Sequence, residues 1–141
     1  MKDSSLNMKN DIAKLDHLNF TVSDFEESVD YYKSRFGFSL VEKGTTIEDR
    51  PWGILKAGET MLAISEQPDL KKLMPEDHHR INHFGFRLSD ENAWLETLDE
   101  FNMKTYYGSP VRYPNSTSWY VSDPNGYTIE VSIWKNNEVK F

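Results

Sequence analysis

The sequence is 141 residues long, 38% hydrophobic, free of cysteine and acidic, with a formal net charge of −7. This length suits one domain with a hydrophobic core, and the lack of cysteine excludes disulfides and thiolate metal ligands. The negative charge opposes nucleic acid, no apolar run is long enough to cross a membrane, and no signal peptide is evident, so we predict a cytoplasmic protein with neither as a partner.

The first half of the chain is predicted to form a β-α-β-β-β module. We assign residues 1–11 to a flexible N-terminal tail and residues 12–66 to the module. A strand with alternating apolar residues ends at Val22, and a helix follows that Asp24 caps and Gly37 ends. Glycine and proline separate three short strands, predicted at residues 38–42, 52–57 and 60–65.

The second half repeats this order. Residues 82–90 match residues 16–24, which lie 66 positions earlier, and the His, Phe, Ser and Asp of the two segments are identical. Such a repeat predicts a second copy of the module, at residues 81–134, joined by a linker at 67–80 and followed by a C-terminal tail at 135–141. Its strand, helix and three further strands are predicted at residues 81–88, 91–103, 105–107, 117–121 and 127–134.

The second helix is expected to bury one apolar face. Leu95, Leu98 and Phe101 recur at helical spacing, and we predict that they face the core. With strands and helices in both halves, the sequence indicates an α+β protein made of two tandem βαβββ modules.

Strand parity brings three potential metal ligands to one face of the sheet. The apolar residues of each first strand pack against the helix, so His17 and His83 point to the other side. In the last strand, Glu130 also lies opposite the apolar face. Two imidazoles and one carboxylate suit Fe(II), Mn(II), Ni(II) or Zn(II). We therefore predict a divalent metal site at these three residues, with open positions for water or substrate oxygens.

Two further side chains are candidates for catalysis. Tyr120 is predicted to share the polar face with Ser118, where its hydroxyl could hydrogen-bond a metal-bound oxygen, although packing beside Trp119 is the alternative. Arg87 is predicted to lie on the same face as His83 and could bind a carboxylate or phosphonate. The alternative for this arginine is a solvated charge at the end of a strand.

The chain resembles the vicinal oxygen chelate superfamily, which includes glyoxalase I, fosfomycin-resistance proteins, extradiol dioxygenases and the bleomycin-resistance proteins. The resemblance rests on the paired modules, on the early histidine of each, and on the ending Y-x-x-D-P-x-G-x-x-x-E from Tyr120 to Glu130. It implies a curved, cleft-bearing mixed sheet with helices on the outer face. It also implies a homodimer in which His17 of one chain meets His83 and Glu130 of the other.

The chain departs from several members of the superfamily. Glyoxalase I has a fourth protein ligand in the last strand of the first module, where aligning the turn glycines of the two modules places Leu62 opposite Glu130. Extradiol dioxygenases carry a further histidine before the tyrosine of the ending, where this chain has Val-Arg-Tyr at 111–113. Fosfomycin-resistance proteins commonly have threonine two residues after the first ligand, where this chain has Asn19.

The resemblance implies a metal-dependent enzyme that chelates neighbouring oxygens of a small substrate, and a lyase or isomerase of glyoxalase type is the first expectation. An extradiol-type dioxygenase and a fosfomycin-resistance-type transferase or hydrolase stay open. From another class, a metal-free binding protein like the bleomycin-resistance proteins is the alternative. Such a protein would be expected to lack the three ligands.

Overall fold

The computed structural model describes residues 15–74 and 81–136. Its elements in chain order are β1 Leu18–Val22, α1 Phe25–Phe36, β2 Ser39–Thr45, β3 Pro51–Ala57, β4 Thr60–Glu66, β5 Phe84–Leu88, α2 Glu91–Glu100, β6 Tyr106–Arg112, β7 Ser116–Ser122 and β8 Thr128–Trp134. The N-terminal tail predicted at residues 1–11 and most of the predicted C-terminal tail lie outside the described residues. Neither helix in the described ranges is long and apolar enough to span a membrane.

Each module forms its own four-stranded mixed sheet. The strand orders are β1-β4-β3-β2 and β5-β8-β7-β6. The first and last strands of each module are parallel, and the other pairs are antiparallel. The outer strands approach each other through Phe20 of β1 and Phe84 of β5, whose ring centroids lie 5.7 Å apart. The predicted α+β fold with two tandem modules is therefore confirmed.

The starts of both helices follow from their capping residues. Asp24 caps α1 by accepting a hydrogen bond from the amide of Glu27 at 3.0 Å. Asp90 caps α2 in the same way, from the amide of Ala93 at 3.1 Å. Gly37 ends α1 in the left-handed conformation, φ 74°, which glycine adopts without a steric penalty. The repeated Ser-Asp pair thus starts a helix in both modules.

One hydrophobic core extends through both modules. Helix α1 packs on β2, β3 and β4 of its own sheet, and its Phe36 stacks on Trp94 of α2 at 5.7 Å between ring centroids. The buried members come from both halves: Phe20, Val22, Phe25, Tyr31, Tyr32, Phe38, Leu55, Leu62, Ile64, Trp94, Trp119, Val121, Ile129 and Val131. The helices leave the opposite face of each sheet uncovered.

The prediction that Leu95 faces the core is wrong. Leu95 is 42% exposed, whereas its neighbour Trp94 is 2% exposed. The indole of Trp94 contacts Phe36 and also Trp119 of β7, at 6.5 Å between ring centroids. Because the larger ring buries more apolar area than a leucine would, Trp94 sets the rotation of α2. Leu98 packs against the core as predicted.

A buried hydrogen-bond network ties the turn before β8 to helix α1. Asp123 and Asn125 are each 2% exposed. Asp123 accepts hydrogen bonds from the Tyr32 hydroxyl at 2.8 Å and from the amides of Asn125 and Tyr127 at 2.9 and 2.8 Å. The Asn125 side chain donates to the hydroxyl of Ser28 at 3.2 Å. Since α1 belongs to the first module and the turn to the second, this inter-module latch fixes one module against the other.

Candidate functional site

The uncovered face of the second sheet carries a mixture of small and polar side chains. In β8, Ile129 and Val131 are buried, whereas Glu130 and Ser132 between and after them are partly exposed. Glu130 lies beside Gly85 of β5 in the strand register. The parity predicted for the last strand therefore holds, and Glu130 projects from the uncovered face.

His83 and Glu130 meet on this face. The distance from His83 Nε2 to Glu130 Oε1 is 2.9 Å, and the two side chains are 33% and 18% exposed. His83 Nδ1 lies 2.7 Å from the Asn82 side-chain oxygen. A hydrogen bond donated to that oxygen would place the ring proton on Nδ1 and leave Nε2 as the nitrogen that can bind a cation.

The geometry of this pair fits two ligands of one metal ion. Atoms of an imidazole and a carboxylate 2.9 Å apart share a proton in a hydrogen bond or bind the same cation. Ligands about 2.1 Å from a divalent ion, at right angles to each other, are about 3 Å apart. His83 and Glu130 are thus spaced as neighbouring ligands of one ion.

Two serines hold the carboxylate from beneath. Ser118 of β7 is 1% exposed, and its hydroxyl donates to Glu130 Oε2 at 2.7 Å. The Ser132 hydroxyl donates to the same oxygen at 3.3 Å. With Oε2 held in this way, Oε1 is left to face His83. This role of the serines was not predicted, although serines at alternate positions of β7 and β8 on the face of Glu130 were the available signal.

Tyr120 stands beside the pair, as its strand position predicted. It lies opposite Glu130 in the β7–β8 register, and its ring meets the ring of His83 edge-on at 5.7 Å between centroids. Its hydroxyl is 3.3 Å from that of Tyr113. Burial, the hydrogen bond with Tyr113 and the charge of Glu130 all raise the pKa of Tyr120. The phenol therefore stays protonated at neutral pH and is available as a donor.

Arg87 occupies the same face, further along β5. It lies opposite Ser132 in the register, two positions beyond Gly85, which corresponds to roughly 7 Å along a strand. Its guanidinium lies 4.9 Å from the centre of the Trp134 ring. An arginine held over an aromatic ring is oriented for an anionic group. Its assignment to catalysis stays a prediction.

His17 lies apart from the His83–Glu130 pair. Its Nδ1 is 2.8 Å from the carboxylate of Asp16, and its side chain is 45% exposed. Within residues 15–74 and 81–136 of one chain, no three His, Asp or Glu side chains are grouped closely enough to hold a metal ion. One chain therefore brings together two of the three predicted ligands, and the complete set stays a prediction.

The position equivalent to Glu130 in the first module is Ala63, and the assignment to Leu62 is wrong. The β1–β4 register pairs Asn19 with Ala63, and the β5–β8 register pairs the equivalent residue, Gly85, with Glu130. The turns before β4 and β8 differ in length, so aligning their glycines shifts the register by one residue. Ala63 has no carboxylate either, so the first module lacks a counterpart of Glu130, as expected.

A cavity next to His83 lies between the outer strands of the two sheets. It has a volume of about 330 Å³ and is lined by apolar and polar residues of both modules, among them Phe20, Asn19, Phe84, His83 and Thr128. Cavities of this size accommodate small molecules. A substrate bound there would contact both halves of the chain and the His83 end of the pair.

Comparison with known sequences gives a family match over most of the chain. Residues 14–131 match the model of the Glyoxalase/Bleomycin resistance protein/Dioxygenase superfamily. The chain is 27% identical over 123 residues to a metallothiol transferase FosB of Staphylococcus epidermidis, covering 86% of this chain and 82% of that protein. It is also 27% identical over 132 residues to the metallothiol transferase FosB of Bacillus licheniformis, covering 86% and 76%.

Comparison with solved structures shows the same fold. A glyoxalase family protein from Enterococcus faecalis superposes with a TM-score of 0.71 at 16% identity, covering 85% of this chain and 97% of that one. The fosfomycin resistance protein FosX from Mesorhizobium loti gives a TM-score of 0.65 at 19% identity, covering 89% and 94%.

Proposed function

Because the chain belongs to the Glyoxalase/Bleomycin resistance protein/Dioxygenase superfamily, we propose that it is a metal-dependent enzyme that adds a thiol to a small substrate bound through neighbouring oxygens. The observation that carries the proposal is the His83–Glu130 pair, 2.9 Å apart on the uncovered face. The curated relatives are named metallothiol transferases, a name that refers to both a metal and a thiol. This chain has no cysteine, so the thiol would be a second substrate.

The proposed ligand set is His17, His83 and Glu130. Two imidazole nitrogens and one carboxylate oxygen suit Mn, Fe, Ni or Zn, and the spacing of His83 and Glu130 supports ligation of one ion. We assign His17 to a second copy of the chain, since it lies apart from the pair in one chain. When bound, the metal supplies Lewis acidity that polarises a substrate oxygen.

The surrounding side chains have separate roles in this proposal. Ser118 keeps the Glu130 carboxylate oriented through the 2.7 Å hydrogen bond to Oε2. Tyr120 donates its phenolic proton to the substrate oxygen on which negative charge develops. Arg87, held over Trp134, binds an anionic group of the substrate.

A product assay separates this proposal from the lyase or isomerase expected from the sequence. The metal-loaded protein is incubated with fosfomycin and a panel of thiols, and in parallel with methylglyoxal and glutathione. We expect a thiol adduct of the epoxide in the first reaction. Conversion of the methylglyoxal–glutathione adduct alone would favour the glyoxalase-type reaction, and epoxide hydrolysis without thiol would favour a hydrolase.

Glu130→Ala is expected to abolish metal binding. Protein purified without added metal should carry close to one divalent ion per chain, and the variant about a tenth of that or less, because one of three ligands is lost. Elemental analysis gives the metal content directly. Glu96→Ala, on the exposed side of α2, is the matched control and should keep its metal. Stoichiometric metal in Glu130→Ala would overturn the assignment.

Tyr120→Phe is expected to keep the metal and lower kcat by about 100-fold, because the substrate oxygen loses a proton donor. Glu96→Ala, on the exposed side of α2, is again the control, since it lies outside the site. Steady-state kinetics with the adduct-forming thiol measure both variants. Equal kcat values for the two would remove Tyr120 from the chemistry.

A further inference from the structure

A second cavity, of about 280 Å³, lies beside the uncovered face of the second sheet. Lys72 and Lys104 line it, together with Tyr106, Ser122 and Thr128. Thr128 precedes Glu130 by two positions in β8, so the two share a face and lie roughly 7 Å apart along the strand. The cavity is therefore a neighbour of the His83–Glu130 pair without containing it.

A smaller cavity of about 170 Å³ extends this space towards helix α1. It shares Lys104, Tyr106 and Ser122 with the first and adds Arg35. We call the two together the basic groove, defined by Arg35, Lys72 and Lys104. Arg35 is ion-paired with Asp30 at 3.7 Å, so the two lysines supply the free charge of the groove, in contrast with the net charge of −7 of the whole chain.

The described part of the chain does not neutralise the two lysines. Among residues 15–74 and 81–136, no carboxylate forms an ion pair with Lys72 or Lys104. Asp123 lines the larger cavity, but its oxygens already accept the hydrogen bonds of the inter-module latch. Unpaired ammonium groups that share a concave surface attract anions.

Aromatic rings hold two of the cations in place. The Arg35 guanidinium lies 4.1 Å from the centre of the Phe101 ring and 5.2 Å from that of Tyr31. Its buried Nε has no hydrogen-bond partner among the residues that the structure describes. The Lys104 ammonium lies 5.2 Å from the centre of the Tyr106 ring. Such contacts restrict the side chains before a ligand arrives, which lowers the entropic cost of binding.

We propose that the basic groove binds an oxyanion, a carboxylate or a phosphate, carried by the thiol co-substrate. This inference rests on the proposed thiol addition. Thr128 links the groove to the strand of Glu130, and the Tyr107 ring, which also lines the groove, contacts Tyr120 at 5.4 Å. An anionic group in the groove would therefore leave the sulfur end of a small molecule within reach of the His83–Glu130 pair.

Anion titrations test the groove independently of the metal. Inorganic phosphate and succinate are titrated into the protein and followed by calorimetry, in the wild type and in Glu130→Gln, which removes the metal contribution. We expect saturable binding of at least one anion in both proteins, with Kd values within about twofold of each other. Binding of phosphate alone identifies a phosphate-bearing ligand, and binding of succinate alone a carboxylate-bearing one.

Single substitutions test whether the anion binds at the lysines of the basic groove. Lys104→Met and Lys72→Met are each expected to raise Kd about tenfold, since a charge-assisted contact is lost. Lys43→Met, which removes an exposed lysine of β2, is the control and should leave Kd unchanged. Melting temperatures verify that the variants are folded. Absence of saturable binding, or equal Kd values in Lys104→Met and Lys43→Met, would overturn the proposal whatever the metal content of the protein.

Steady-state kinetics test whether the basic groove binds the thiol co-substrate. Lys104→Met is expected to raise KM about tenfold for mercaptosuccinate, an anionic thiol, and to leave KM for neutral 2-mercaptoethanol unchanged. An equal change for both thiols would separate the groove from the co-substrate. If the wild type shows no turnover with either thiol but still binds the anion, this result counts against the proposed enzymatic function and not against anion binding in the groove.

Discussion

Co-expressed His17→Ala and Glu130→Ala chains are expected to recover metal binding that neither variant has alone. If each site takes His17 from one chain and Glu130 from the other, a mixed dimer has one site with both substitutions and one site with none. Random pairing should then restore about a quarter of the wild-type metal content. Isolation of the mixed dimer through two different tags should raise this to about half.

A matched pair of variants makes this result specific. His83→Ala mixed with Glu130→Ala should recover no metal, because His83 and Glu130 belong to the same half-site, with atoms 2.9 Å apart in one chain. Every site of that mixed dimer then lacks one ligand. Recovery in neither mixture, with full binding by the wild type, would show that His17 is not a ligand supplied across the dimer.

Asp123→Ala is expected to lower the free energy of unfolding by about 3 kcal/mol or more, because it leaves several buried donors without an acceptor. The donors are the Tyr32 hydroxyl and the amides of Asn125 and Tyr127. Burial raises the pKa of the Asp123 carboxyl, while the hydrogen bonds from Asn125 and Tyr32 lower it in turn. Those bonds thus offset part of the cost of burying the group.

Urea denaturation at neutral pH measures this loss. Tyr32→Phe removes one donor together with its bond and should cost about 1 kcal/mol. Asp99→Ala, an exposed aspartate of α2, is the control and should change stability by less than about 0.5 kcal/mol. If Asp123→Ala and Asp99→Ala unfold at the same urea concentration, the inter-module latch contributes nothing to stability.

Features with a local cause could be predicted from the sequence. The caps at Asp24 and Asp90 need one side chain and one amide three residues on. The placement of Glu130 on the uncovered face follows from the period of two of a strand. The repeat itself showed that both modules have the same order of elements.

Features that depend on packing between elements could not be predicted from the sequence. Trp94 displaces Leu95 from the core because Phe36 of the other helix lies against its ring, a contact that the second module alone does not reveal. The sixth strand was predicted at residues 105–107, and Gly-Ser-Pro, a sequence typical of turns, follows it. The structure continues β6 to Arg112, with an irregular register between Tyr106 and Val111.

In the candidate site, too, some contacts could be predicted from the sequence and others could not. The pairing of His83 with Glu130 agrees with the predicted strand parity, because Glu130 lies in β8 and His83 directly precedes β5, the neighbouring strand of the same sheet. The support of Glu130 by Ser118 was not predicted, since it depends on which serine of β7 lies across from which residue of β8. The proposed contact of His17 with a second chain leaves no local signal, because strand parity within one chain does not describe a contact between chains.

In the proposed dimeric site, the separation of His17 from the His83–Glu130 pair would have a thermodynamic consequence. An ion whose ligands come from two chains binds the assembled dimer far more tightly than it binds either chain, so metal and subunit association are linked. Dilution would then release metal, and a chelator would separate the subunits. The apparent affinity for metal would become a function of protein concentration, so the active fraction of the protein would depend on both the metal and the protein concentration.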